Sequence, residues 1–158
     1  MGAAINRLMG KYEEFKALPG GEAFTIEVTD KEATAAAKEY ITENKQQIRD
    51  LLKEKTGFSL DVDDPRIEFG NDELRLSATG GKGFIKSKAS LIADVRWDGR
   101  PVVFVREVKL PVVSVSPEKL NSTAEEPLKK FTDMIGEYAE IRSFKLKNGV
   151  AVLEAVKR

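Results

Sequence analysis

The sequence predicts an α+β domain, a curved antiparallel β-sheet wrapped around a long amphipathic helix, with a short N-terminal helix and a second helix before a C-terminal hairpin. Three observations lead there. Apolar residues recur at helical spacing across residues 30–56. From residue 58 the period changes to two, in runs separated by Gly, Asn and Asp. Short turns between those runs make neighbouring strands antiparallel, and helix followed by strands is the α+β order.

The elements follow in chain order. In 3–18, Ile5, Leu8, Met9, Tyr12 and Phe15 share one helical face, and Pro19-Gly20-Gly21 stops the helix. A short alternating strand occupies 23–28. Thr29 and Glu32 then have capping-box spacing at the start of the long helix. Its stripe runs through Ala33, Ala36, Ala37, Tyr40, Ile41, Ile48, Leu51 and Leu52, interrupted by Asn44 and Gln47, and Gly57 ends it. At 1.5 Å per residue this helix spans about 40 Å.

Phe58, Leu60 and Val62 alternate until Asp63-Asp64-Pro65 breaks the run. The runs 66–69 and 74–78 flank a hairpin turn, and a long strand follows Gly80-Gly81-Lys82-Gly83. On that strand Ile85, Ser87, Ala89, Leu91, Ala93, Val95 and Trp97 share one face, opposite Lys86, Lys88, Ser90, Asp94 and Arg96. Asp98-Gly99 signals a two-residue hairpin. The return strand, 100–110, is apolar on both faces, with Val102, Phe104 and Val108 on one and Val103 and Val105 on the other. Pro111 interrupts, and Val112, Val113 and Val115 resume an extended segment.

Pro117 starts a helical turn that ends near Leu120 and Asn121. A second helical piece, with Thr123 and Glu126 as its capping pair, carries Leu128, Phe131, Met134, Ile135 and Tyr138, and places Pro127 in its first turn. The closing hairpin, 140–147 and 150–156, turns at Asn148-Gly149, a type I′ signal. A length of 158 residues suits one domain, with 1–21 as a helical extension of a core over 22–158.

Composition narrows function. Lys+Arg and Asp+Glu both total 26, so no global field favours nucleic acid. Residues 22–73 hold 14 acidic and 7 basic side chains, whereas 75–109 hold 8 basic and 3 acidic. That asymmetry predicts either one acidic and one basic side or mutual neutralisation. The sequence has neither Cys nor His, which removes thiol chemistry, most hydrolase triads and ordinary zinc sites. No catalytic, metal or cofactor residues are assigned.

Four features carry candidate sites. Gly80-Gly81-Lys82-Gly83 lacks phosphate-loop spacing and reads as a connection or bulge. Asp61, Asp63 and Asp64 lack the Gly and Glu of a calcium loop and read as a solvated turn. Lys82, Lys86, Lys88 and Arg96 sit at even offsets on one strand face. They are candidates for an anionic headgroup, against the simpler reading of a solubilising outer face. The apolar surfaces exceed what one sheet–helix layer needs. Against ordinary core packing stands an elongated acyl-chain groove lined by Tyr40, Ile48, Leu52, Leu91, Val95, Trp97 and Phe104.

Segment 24–32 entering the long helix resembles the YpmS-like and LmeA-like families of bacterial extracytoplasmic proteins. So do Trp97-Asp98-Gly99-Arg100-Pro101-Val102-Val103, Leu120-Asn121-Ser122-Thr123 and the closing segment 141–153. The resemblance implies a fold like the tubular lipid-binding proteins, an extracytoplasmic place and an N-terminal membrane tether. Such a tether would precede Met1, because no targeting or membrane-spanning pattern opens this sequence. The resulting expectation is a non-catalytic domain binding a lipid, a phospholipid or fatty acid, at a bacterial membrane surface. The alternative is a scaffold domain with a filled core, working through protein–protein contact on the strand 102–108.

Overall fold

A computed structural model describes residues 2–57, 59–82, 85–110 and 116–158, with all their side chains except those at 56, 82, 85, 86 and 123. The architecture is α+β and every strand pairing is antiparallel. Helix α1 (Ala3–Lys16) precedes strand β1 (Ala23–Thr29) and helices α2 (Asp30–Glu43) and α3 (Lys45–Thr56). Strands β2 (Asp61–Gly70), β3 (Glu73–Lys82), β4 (Ile85–Trp97) and β5 (Pro101–Lys109) follow. A 3-10 turn (Pro117–Leu120) leads into α4 (Asn121–Gly136), and β6 (Ala139–Lys147) and β7 (Val150–Lys157) close the chain.

The strands form two sheets, ordered β1-β7-β6 and β2-β3-β4-β5. Their hairpin turns bond to each other. The Asp72 amide donates to the Leu146 carbonyl (2.9 Å), and the Gly149 amide donates to that of Phe69 (2.8 Å). Asp72 and Gly149 both adopt left-handed backbone, φ 55° and 85°. Asn148 does not, so this turn is not the expected type I′. The core lies behind this junction. Leu74, Ala93, Val95, Val103 and Val105 of the larger sheet meet Phe144, Leu146, Leu153 and Ala155 of the smaller, with Ile135 of α4 and Phe15 of α1.

Several expected elements take a different form. The long helix is split at Asn44 (φ −124°, ψ 31°), whose side-chain amide donates to the Tyr40 carbonyl, so local hydrogen bonding competes with the helix there. Asp63-Asp64-Pro65 does not end a strand. Asp64 (φ 49°) and Pro65 together face Ala78 in a bulge of edge strand β2, where a proline needs no ladder partner. Gly80 and Gly81 lie within β3, paired to both neighbours, and not in a connection. Trp97 pairs with Pro101, so three residues, not two, close that turn. The helix α4 begins at Asn121, ahead of Thr123, and holds Pro127 in its interior. Residues 58, 83, 84 and 111–115, including the expected extended segment at Val112, Val113 and Val115, lie outside the described residues.

Both margins of the four-stranded sheet are covered by helix side chains. The Thr34 hydroxyl of α2 donates to the Ile67 carbonyl (3.1 Å) and accepts from the Ile67 amide (2.9 Å) on β2. On β5, the Val105 amide donates to Asn121 Oδ1 (2.7 Å) and the Val103 amide to Glu125 Oε2 (3.3 Å). These side chains take the place a further strand would occupy and blunt the edges against pairing.

The capping box at Thr29 and Glu32 forms as expected, and α2 in turn holds α1. Glu39 accepts from the Ala4 amide (2.7 Å) and the Ile5 amide (2.9 Å), capping α1 from a neighbouring helix. A methyl group on Gly2 would meet the Glu39 carboxylate carbon at 2.3 Å, so the carboxylate would have to shift to admit a side chain there. Among the described residues no helix is long and apolar enough to cross a membrane.

Thr34→Val keeps the shape and removes both edge bonds. Chemical denaturation is expected to show a loss of about 1–2 kcal/mol, with no such loss for Thr42→Val on the exposed side of α2. A pH effect follows from Glu39. The two backbone donors hold its carboxyl below the ordinary 4.5, with Arg7 adding to the effect. A depressed folded-state value stabilises the protein above the unfolded value and is lost as pH falls through the folded one. Hydrogen exchange at Ala4 and Ile5 should therefore accelerate relative to the core as pH falls below the ordinary glutamate range, and Glu39→Gln should remove that pH dependence.

Candidate functional site

The inner face of the four-stranded sheet is longer than the core that covers it. Beyond Leu74 and Ala93 it continues as Ile67, Leu76 and Leu91, side by side on β2, β3 and β4, and then as Ala78 and Ala89. On β5 a bulge changes the pattern. Ala93 pairs with Val105 but Ile92 pairs with Glu107, leaving Arg106 as the extra residue. Val108 is thereby turned to the face of Val103 and Val105, correcting its placement with Phe104.

Helix α2 stands at the β2 margin and the 3-10 turn at the β5 margin, and an open apolar cleft of ≈ 340 Å³ lies between them. Ile67, Leu76, Leu91, Val108 and the small Ala78 and Ala89 form its floor, and Ala37, Leu110 and Leu120 its sides. Among the described residues, no acidic residue lines it and Arg66 is its one charged residue.

Of the residues expected to line an acyl groove, Leu91 alone lies in this cleft. Val95 is 2% exposed, within the core. Phe104 is 54% exposed on the outer face and Tyr40 53% exposed on α2, so neither can line an inner cleft. Ile48 borders a separate crevice of ≈ 90 Å³ between α3 and β2, with Lys45, Arg49, Asp61 and Asp63. Leu52 is half-buried one turn further along α3. Trp97 borders a separate, mixed hollow of ≈ 540 Å³ with Arg100, Thr132, Glu137, Ile141 and Arg158.

Of the expected basic strip, Lys88 and Arg96 do not converge. Lys88 and Arg96 are both exposed, but eight residues of β4 separate them, about 27 Å at 3.4 Å per residue. Asp94 lies between and binds Arg106 at 2.9 Å. The side chains of Lys82 and Lys86 lie outside the described residues. Lys88 instead borders a polar depression of ≈ 290 Å³ with Asp64, Arg66, Ser77 and Thr79. In the acidic turn, Asp61 pairs with Arg49 and Asp63 with Lys45. Among the described residues no cluster of three or more Asp and Glu gathers as a metal site.

The perturbed carboxylates are structural. Hydrogen bonds from Arg75 and Arg106 hold Glu73 below its ordinary range, and the Thr29 backbone amide and Lys11 do the same for Glu32. None of these borders the apolar cleft. Sequence reading missed Ala37, Ile67, Leu76, Val108 and Leu120 as cleft residues. Alternation on β4 placed Leu91, and the same signal on β3 was available for Leu76, but the bulges at Pro65 and Arg106 conceal the flanking strands' phase.

Strand β5 carries the expected two-sided apolarity, and the structure separates its two faces. Val103 is 3% exposed and Phe104 is 54% exposed. Val103→Lys should unfold the protein or lower its melting temperature sharply, because it buries an unpaired charge. Phe104→Lys should leave melting nearly unchanged, and thermal scans of both variants check this contrast.

No protein-family model, curated protein or solved structure matches this chain.

Proposed function

We propose that this protein is a non-catalytic binding domain for an apolar, lipid-like ligand, seated in the cleft over β3 and β4. One observation carries the reading, an open concave surface whose lining, among the described residues, is apolar apart from Arg66, Ser77 and Ser90. Small-molecule sites are typically concave, mostly apolar and bounded by a few polar groups. A single-layer floor of Leu76, Leu91 and Val108 would otherwise leave sizeable apolar area in water, at about 25 cal/mol per Å². The resemblance of the turn and cap segments to extracytoplasmic lipid-binding families supports the same reading and a membrane-surface setting.

The reading requires the floor to stay small. Ala78 and Ala89 are cross-strand partners at the cleft, and a bulky side chain at either would fill it. Native mass spectrometry of the protein from cells, followed by organic extraction, is expected to show an acyl species at defined stoichiometry. Ala89→Phe is expected to lose that species and the uptake of added fatty acid or phospholipid, with an unchanged circular dichroism spectrum. An apo wild-type mass with no uptake would exclude the reading.

A further inference from the structure

The polar depression of ≈ 290 Å³ lies on the outer face of the larger sheet, opposite the cleft floor. Arg66 on β2 pairs with Ser77 on β3, and Lys88 on β4 pairs with Thr79 of that same strand. Ser77 and Thr79 alternate with the floor residues Leu76 and Ala78, so all four side chains share the outer face. The bulge at Asp64-Pro65 puts Arg66 there. Continued in step from Asp63 opposite Thr79, β2 would bring Arg66 opposite Leu76 and onto the floor. Arg66 and Lys88 thus stand diagonally across β3, with the two hydroxyls between them.

Both cations are exposed. Among the described residues neither has an ion-pair partner, and neither hydroxyl has a hydrogen-bond partner. Nearby Arg75 and Arg106, by contrast, share Glu73. Asp64 also borders the depression and forms an ion pair with neither cation.

We propose that this depression binds a phosphate group, carried by a soluble phosphate or by a lipid headgroup. The Arg66 guanidinium offers a planar pair of donors to two phosphate oxygens, and the Lys88 ammonium and the two hydroxyls supply the rest. Donors converging from three strands suit a tetrahedral oxyanion, which has more oxygens to engage than a carboxylate. Two cations against one carboxylate leave the depression net positive. Its exposure keeps the bound charge partly hydrated, so binding weakens as salt rises. The site lies on the opposite face from the apolar cleft and stands or falls independently of it.

The test is an amide chemical-shift titration of the full chain with inorganic phosphate, against sodium chloride at matched ionic strength. Phosphate is expected to give saturable shifts at Arg66, Ser77, Thr79 and Lys88 that chloride does not reproduce. Arg66→Gln and Lys88→Gln should each weaken phosphate binding about tenfold, as loss of a charge-assisted hydrogen bond implies. Asp64→Asn should tighten it, and asparagine suits the left-handed backbone there (φ 49°). With no internal partner to lose, the Arg66 and Lys88 variants should melt with wild type. Co-sedimentation with vesicles of phosphatidylcholine and phosphatidic acid in equal amounts separates the two sources. Vesicle binding abolished in Arg66→Gln names a lipid headgroup. Phosphate saturation with vesicle binding absent, or unaffected by Arg66→Gln, names a soluble phosphate. Shifts that do not saturate or that chloride reproduces, or an affinity unchanged in both variants, overturn the proposal.

Discussion

A four-stranded sheet ends in two rows of backbone donors and acceptors, and satisfying those rows sets the position of everything around it. Thr34 answers both polar groups of Ile67 on β2, and Asn121 and Glu125 answer the amides of Val105 and Val103 on β5. Helices α2 and α4 are thereby fixed at the margins and not across the middle. One turn beyond Thr34 lies Ala37, and directly before Asn121 lies Leu120, the residues that face each other over the cleft. The open floor between them is a geometric result of how the edges are closed.

The second sheet explains why only one end of that floor is filled. The turns at Asp72 and Gly149 exchange backbone hydrogen bonds, which brings β6 and β7 against the Leu74 and Ala93 end of the larger sheet. Buried Phe144, Leu146 and Leu153 complete the core there. Moving along β3 and β4 away from this junction, the inner residues lose those partners, and the side chains shrink to Ala78 and Ala89. Stability and binding surface thus occupy opposite ends of the same two strands.

Much of the fold was legible in the residues. The α+β order, the Thr29–Glu32 cap, the stops at Gly57 and Pro19, and the inner face of β4 all follow from local rules that tertiary packing did not override. Less of the site was. Alternation assigns faces only while two strands advance in step, and the bulges at Asp64-Pro65 and Arg106 break that step on the two edge strands. Val108 was thereby read onto the wrong face, and Arg66 was not read as part of any site. Tyr40, Ile48 and Leu52 failed for another reason. The stripe of α2 and α3 packs along β2, so its residues beyond Ala37 meet the strand's margin or solvent and never reach the floor. A splitting residue such as Asn44 further uncouples the second half of the stripe from the first.

The bulge at Arg106 gives chain length a meaning that residue identity does not have. Two residues stand between Val105 and Val108 where regular alternation allows one, and the bulge absorbs the second, which keeps Val108 on the cleft side and Glu107 in water. In a relative with one residue fewer at this point, plain alternation would keep both valines on the floor with no bulge at all, whereas the same length paired without a bulge would turn the carboxylate inward. A single-residue gap in an alignment at this place would therefore mark the loss of the bulge and leave the apolar cleft intact.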